Sequence, residues 1–397
     1  MANRQKILIL GGGFGGIKTA LELSEHPLFN VTLVSDQKTF RYYPQLYRIA
    51  TGGRRDASQI PLAEIFADKN VDIVYDSVQT LDRQAGIVAG ASGQKYNFDI
   101  LVIALGVVTN FFGIKGLDKY AYGIKTVEES RRLRDHLHKL LIEKQKPDIN
   151  YVVIGGGPTG VELAGALPDY IRHIMKRHNL ADRPIHVDLV EAEKRLLPRM
   201  PKSYSRAVTK RLRQLGIKLH LGETVKAETA DKLMVTDLSI KSHTVVWTAG
   251  VTNHPFLADN NFSLSDHGRA VVDTYLQADV NIYIIGDNAD TPYSGMAQTA
   301  LYDGKFVAEN LKRQVENKQP QGYKPKKPIY VMPIGPGWAA LLWDRVHIYG
   351  FLGWMVRSAA DFMAYREFEP WRQATKRWQA SLETEETCPV CVAKRPL

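Results

Sequence analysis

Short apolar runs alternate with helically spaced stretches along most of the chain. KILIL (6–10) leads into a glycine turn, a stretch with helical apolar spacing, and then VTLV (31–34). Short apolar runs bounded by glycine read as buried strands, and a strand–turn–helix–strand order predicts parallel βαβ units. The order returns at YVVI (151–154) and HVDLV (186–190). Two later strands, LVIALG (101–106) and VVWTAG (245–250), both end on glycine and lie 144 residues apart. Gly11, Gly13 and Gly16 precede Gly155, Gly157 and Gly160 by the same 144 residues. Two anchors at one offset make the chain an internal repeat of a βαβ-containing unit. The second strand of each copy ends near Asp36 and near Glu191, a wider spacing that places extra residues in a longer helix at 169–183.

The pattern then changes. NIYIIGD (281–287) is an apolar strand ending on Gly286 and Asp287, and the segment from Gly295 to Gln314 has helical spacing. QPQGYKPKKP (319–328) reads as a connector. Beyond it lies a segment mixing Trp, Phe and Met with Arg and Lys. The fold class expected is α/β: two interleaved Rossmann-like dinucleotide-binding domains plus a C-terminal amphipathic membrane-attachment segment. The boundaries are 1–118 and 253–328 for the first domain, 119–252 for the second, and 329–397 for the segment and tail.

Composition narrows the setting. No apolar run reaches the length of a membrane-spanning helix, since the best candidate, 338–356, is broken by Asp344 and Arg345. The N-terminus runs straight into a strand pattern, so no signal peptide is expected. A net charge of +10 suits an anionic partner, either nucleic acid or a membrane surface. No basic run with base-stacking aromatics appears in the body, so nucleic acid is not expected. The only cysteines, Cys388 and Cys391, stand in a CPVC tail, half of a metal site at most; no metal is expected.

A G-x-G-x-x-G between strand and helix lets the backbone approach a pyrophosphate seated on the helix N-terminus. Two matches, each with an acid at the next strand end, point to two dinucleotides. Glu191 is placed to accept from an adenosine 2′-OH and repel a 2′-phosphate, which favours NADH; Lys194 and Arg195 beside it argue the other way. In the first copy either Ser35 or Asp36 holds the ribose.

GGGFGG, LVIALG, GGGPTGVELAG, VVWTAG, IYIIGD and GMAQTAL, in this order, resemble the two-dinucleotide-binding-domain flavoproteins. Within them the chain is most similar to type II, non-proton-pumping NADH:quinone dehydrogenases, over residues 5 to about 355. The resemblance implies FAD on the first copy and NADH on the second, inserted into the first. It implies cofactor contacts from Gly11, Gly13, Phe14, Gly15, Gly16 and Gly106, and from Gly286, Asp287 and Ala297, where a helix N-terminus meets the flavin. For the nucleotide it implies Gly155, Gly157, Thr159, Gly160, Glu191 and Gly250. Glu162 is either an acid in the first helical turn, complementing the dipole, or a group facing nicotinamide and flavin. Cysteine-dependent relatives are excluded, because the region where disulfide reductases carry their pair reads RYYPQLYR.

The implied acceptor is a quinone beside Gln298 and Tyr302, although Tyr302 and Asp303 stand where the family carries glutamines. A soluble NADH:acceptor reductase is the alternative. Phe351, Met355, Phe362 and Met363 fall on one helical face, Pro370 starts a second helix, and Arg357, Arg366, Arg372, Lys376 and Arg377 supply charge for anionic lipid. The segment is thus expected to lie peripherally on the cytoplasmic face of the cell membrane, with a homodimer interface as the other use of that face. Ending the chain before Gly350 should then release a soluble flavoprotein that still oxidises NADH.

Overall fold

Strand β1 (Gln5–Leu10) turns at Gly11 into helix α1 (Phe14–Leu23), followed by strands β2 (Phe29–Ser35), β3 (Val71–Tyr75) and β4 (Ile100–Ile103). The second copy comprises β5 (Asn150–Ile154), α2 (Pro158–Arg177), β6 (His186–Glu191), α3 (Lys202–Gln214), β7 (Lys218–Leu221) and β8 (Thr244–Trp247). Then come β9 (Gln277–Asp279), β10 (Ile282–Ile284) and helix α4 (Ala297–Val315). Three strands, β11 (Tyr330–Pro333), β12 (Ala339–Trp343) and β13 (Val346–Gly350), precede helices α5 (Phe351–Arg366) and α6 (Trp371–Leu382). This computed structural model describes residues 4–142, 148–180 and 184–384, so the CPVC tail lies outside the described residues.

The first sheet has the order β9-β10-β4-β1-β2-β3 and the second β7-β6-β5-β8. All pairs are parallel except β9–β10. Central parallel strands are covered on both faces, which is why β1, β4, β5 and β8 read as unbroken apolar runs. Val107–Thr109, leaving the first sheet, pairs antiparallel with Val251–Asn253, returning to it. The second copy is therefore an insertion into the first, with its entry and exit zipped together.

Register aligns the copies. Leu10 pairs with Val34 and Ile103, as Ile154 pairs with Val190 and Trp247. Ser35, one residue past Val34, thus occupies the place of Glu191. The sequence alignment through Asp36 is corrected by one residue. The extra length lies in the first helix, with 10 residues in α1 against 20 in α2.

The C-terminal segment is built into both units. Met332, Ile334, Ala340 and Leu342 join the core of α2 and α3, while Tyr365, Phe368 and Ala374 join that of α1. The stretch 338–356 is a β-hairpin turning at Asp344 and the start of α5. No helix of the described residues is long and apolar enough to cross a membrane.

Helix α5 presents the reverse of the usual arrangement. Gly353, Arg357, Asp361 and Tyr365 form its buried face, while Phe351 and Leu352 keep 61% and 65% of their surface exposed. Met355, Val356, Met363 and, on α6, Trp371 extend this outward apolar face. Three sequence expectations are corrected here. Arg357 points inward, Arg377 is held by Glu64 and Glu369, and Phe362 packs against Trp371 and Trp378. Truncation before Gly350 would strip Tyr365 and Phe368 from the core, so it cannot isolate an attachment function.

Candidate functional site

The two glycine turns have the same construction. Gly11 and Gly155 both have φ +112°, a backbone region that suits glycine, and an added Cβ would collide with Ala104 O (2.3 Å) or Thr248 Oγ1 (2.8 Å). A Cβ on Gly16 or Gly160 would lie 2.0 or 1.9 Å from the carbonyl of Gly11 or Gly155, so helix and turn could not close. The middle glycines differ. A Cβ on Gly157 would meet nothing within 4 Å, and one on Gly13 only Ala104 O at 4.0 Å. Both residues are extended N-caps without a side-chain cap, and neither helix has an acid in its first turn. The free N–H groups and positive dipole end of each helix therefore face open space, where a pyrophosphate fits. The protein itself gives no reason for glycine at these two positions; a bound anion does.

The strand ends carry the second half of each cradle. The Glu191 carboxylate accepts the Gly156 N–H through Oε2 and the Glu193 N–H (2.8 Å) through Oε1. Ser35 stands at the matching place beneath Gly12, where a Cβ would meet its Oγ at 2.6 Å. That hydroxyl donates to Gln37 O (2.9 Å) and accepts from Gln37 N–H (3.2 Å). The Asp36 carboxylate is exposed, 3.9 Å from Arg41. Phe14, the first residue of α1, is buried edge-on against Phe40. Gly15 packs its Cα face on Ile285 and Ala300. Thr159 is the second residue of α2, and Gly250 lies against Asn110 and Phe112 with no room for a Cβ.

A third cluster closes the first unit. Gly106 donates to Asn288 Oδ1 (2.7 Å) and accepts from its Nδ2 (2.8 Å), so the fully buried Asn288 clamps two strand ends. Gly286 donates to Asp303 Oδ2 (3.0 Å) and accepts from Ser294 Oγ (2.9 Å). Asp287 accepts from Gly295 N–H (3.1 Å); burial pushes its carboxyl up, and Lys125 and Arg269 pull it back. Ala297 begins α4. Gln298 does not hang free there. Its amide donates to Ile329 O (2.8 Å) and accepts from Ile329 N–H (3.1 Å), pinning the end of the connector. Tyr302 rests on Tyr323 with Lys326 over its ring, and Asp303 is buried, accepting from Tyr323 OH (2.6 Å). Burial raises the Asp303 carboxyl to about 6.

Glu162 is the fifth residue of α2, one turn beyond the N-cap neighbourhood, so its reading as a first-turn dipole complement is corrected. Its side chain is 12% exposed, and Oε1 lies 3.3 Å from Arg357 Nη1. Arg357 also donates to Asp361 Oδ2 (2.9 Å), Val331 O (2.9 Å) and Pro44 O (3.1 Å). Asp361 in turn accepts from Tyr42 OH (2.8 Å) and Gln45 Nε2 (3.2 Å). Residues 42–45 thus anchor a buried Glu–Arg–Asp triad. Burial pushes Glu162 up to about 7 against the pull of Arg357, so it exchanges a proton near neutrality. Sequence reasoning missed Arg357 and Asp361 as site residues, along with Asn288 and Lys125; only Asn288, next to the IGD turn, carried a local signal.

A model of the pyridine nucleotide-disulphide oxidoreductase family matches residues 5–304. A type II NADH:quinone oxidoreductase of Staphylococcus epidermidis is 27% identical over 347 residues, covering 81% of this chain and 85% of its own. Among solved structures, NDH2 from Plasmodium falciparum in complex with NADH has a TM-score of 0.85 at 16% identity, covering 97% of this chain and 99% of that one. A sulfide:quinone oxidoreductase from Aquifex aeolicus has a TM-score of 0.76 at 21% identity, with 90% of each chain covered.

Proposed function

The chain belongs to the pyridine nucleotide-disulphide oxidoreductase family, and from that premise we propose that it is an FAD-dependent NADH:quinone oxidoreductase that does not pump protons. The observation that carries this reading is the pair of turns whose middle glycines, Gly13 and Gly157, face open space at helix N-termini. The turn at Gly13, with Ser35, Gly106, Asp287 and Ala297, holds FAD. The turn at Gly157, with Thr159, Glu191 and Gly250, holds NADH. The chemistry FAD supplies when bound is the relay of two electrons from nicotinamide to acceptor. Glu191 is fixed by two backbone N–H groups for the ribose hydroxyls. Glu162 holds or releases a proton beside the reacting rings, and Arg357 sets its charge.

The acceptor is a quinone drawn from a bilayer. Helix α5 turns its charge inward and its apolar side outward, as suits a helix lying on an acyl surface on the cytoplasmic side, where NADH is supplied. A second copy of the chain is the competing occupant of that face. Leu352→Ser with Met355→Ser removes only exposed apolar surface, each side chain being worth up to about 1.5–3 kcal/mol of burial. The wild type should sediment with anionic vesicles in high salt, whereas the double variant should stay in solution and still oxidise NADH with ferricyanide. Equal sedimentation of the two would remove α5 as the anchor.

The reaction itself is tested by anaerobic stopped flow. NADH should bleach the flavin, and a ubiquinone or menaquinone analogue should restore its colour. Reduced flavin that persists with every quinone but is reoxidised by ferricyanide would favour a soluble acceptor reductase. In the same experiment Glu162→Gln should retain FAD, slow at least one half-reaction by about tenfold or more, and abolish the rate inflection near pH 7. Unchanged rates in both half-reactions would take Glu162 out of the chemistry.

A further inference from the structure

Part of the charge excess of the chain lies on one helix. Helix α3 buries Tyr204, Ser205, Val208 and Leu212 and turns Lys202, Arg206, Lys210 and Arg213 outward along one stripe. Like charges spaced four apart on a helix repel. With Lys194 and Arg195 from the preceding loop, these side chains wall a groove of about 740 Å³, within the size range of small-molecule sites. Among the described residues, no carboxylate lines it. By contrast, Arg211 on the same helix points away from the groove, donating to Ile334 O (3.2 Å).

The groove is also partly rigid. Arg195 is fixed by the carbonyls of Leu197 (3.3 Å), Met200 (2.9 Å) and Pro198. On its floor, Leu221 of β7 pairs in register with Glu191 of β6. Neighbouring strands lie about 4.8 Å apart, so the groove borders the strand that carries Glu191, yet neither Glu191 nor any glycine of the turn at Gly157 lines it. A single phosphate answers too little of this charge.

We propose that this groove is a binding site for an anion bearing two or more clustered phosphates, distinct from the two dinucleotide sites. Its ligand chemistry is that of a free polyphosphate or nucleoside polyphosphate; a multiply phosphorylated lipid headgroup presents the same groups from a membrane. Guanidinium and ammonium donors bind phosphate oxygens by charge-assisted hydrogen bonds, and binding weakens as salt screens them. The inference goes beyond the oxidoreductase reading and is measured without turnover.

The test uses the full-length holoprotein and Arg206→Ala/Lys210→Ala, both positions being exposed and outside the redox machinery. Alanine is a good helix former and relieves repulsion, so the variant should fold, melt no lower than the wild type and oxidise NADH normally. Inorganic tripolyphosphate, titrated calorimetrically at low salt, should bind the wild type at least about tenfold more tightly than orthophosphate does. The double variant should lose about tenfold or more of that affinity. Tighter binding of the wild type to vesicles containing a phosphoinositide than to vesicles of equal charge without one, with that increment lost in the variant, assigns the same site to a lipid headgroup. Absence of both tripolyphosphate binding and a phosphoinositide increment, or equal values of these in wild type and a folded variant, overturns the proposal.

Discussion

Gly13→Val is expected to fold yet be purified without yellow colour, and its NADH oxidation should fall to background. Gly13 has an extended backbone, φ −96° and ψ −170°, that valine adopts readily, and its Cβ would touch no protein atom closer than 4.0 Å. The substitution is therefore expected to act on whatever sits over the N-terminus of α1. The matching Gly157→Val should keep its flavin and colour but fail to be bleached by NADH, while dithionite still reduces it. Gly11→Val and Gly16→Val are a different case, since their Cβ atoms would overlap backbone oxygens at 2.3 and 2.0 Å and misfold the turn. Flavin retained at full occupancy by folded Gly13→Val would show that the first turn does not hold the cofactor. Absorbance spectra and thermal melts of the two variants decide the point.

How much of this was legible follows from which interactions are local. Strand, turn and helix run over residues 5–23 in the first copy and 150–177 in the second, and Gly16 and Gly160 are demanded by the carbonyls of Gly11 and Gly155 inside those windows, so the doubled architecture is readable from spacing alone. The choice between Ser35 and Asp36 as the counterpart of Glu191 was not, because it depends on the register with β1 and a strand end shows no single-residue mark. The sense of α5 was unreadable for a stronger reason. Its sequence carries two stripes, Phe351–Leu352–Met355 and Arg357–Asp361–Tyr365, and either could face inward. The deciding partner, Glu162, is 195 residues from Arg357. The rule that polar stripes face water fails where a buried acid waits on the other side.

Helix α4 shows the same limit on a smaller scale. The family pattern assigned Gln298 and Tyr302 to an acceptor. In the fold both lean on the connector, Gln298 through Ile329 and Tyr302 through Tyr323 and Lys326. The spacing within α4 could not reveal this, because the connector is irregular and leaves no periodic trace. Asp303 likewise owes its buried position to Gly286 and Tyr323, each well removed in sequence.

Arg357→Met is expected to destabilise the protein by about 3–5 kcal/mol, the usual consequence of removing one member of a buried ion pair. Methionine fills much of the space but donates nothing, so Glu162, Asp361, Pro44 O and Val331 O lose a donor at once. Glu162 responds by keeping its proton. Burial already holds it at about 7 against an ordinary 4.5, and the strongest opposing pull is that of Arg357. A folded-state pKa above the unfolded one means that the native protein binds the extra proton, so stability falls as pH rises between the two values. In the wild type that decline spans roughly pH 4.5 to 7; in the variant it continues to higher pH. The stability gap between them should therefore widen from pH 6 to pH 8, and the rate inflection assigned to Glu162 should move upward. Adding Glu162→Gln and Asp361→Asn to Arg357→Met removes the stranded charges and should restore much of the stability, though not the turnover. Denaturant melts at the two pH values measure this directly. A single variant within about 1 kcal/mol of wild type at pH 8 would show that the triad neither holds α5 nor governs Glu162.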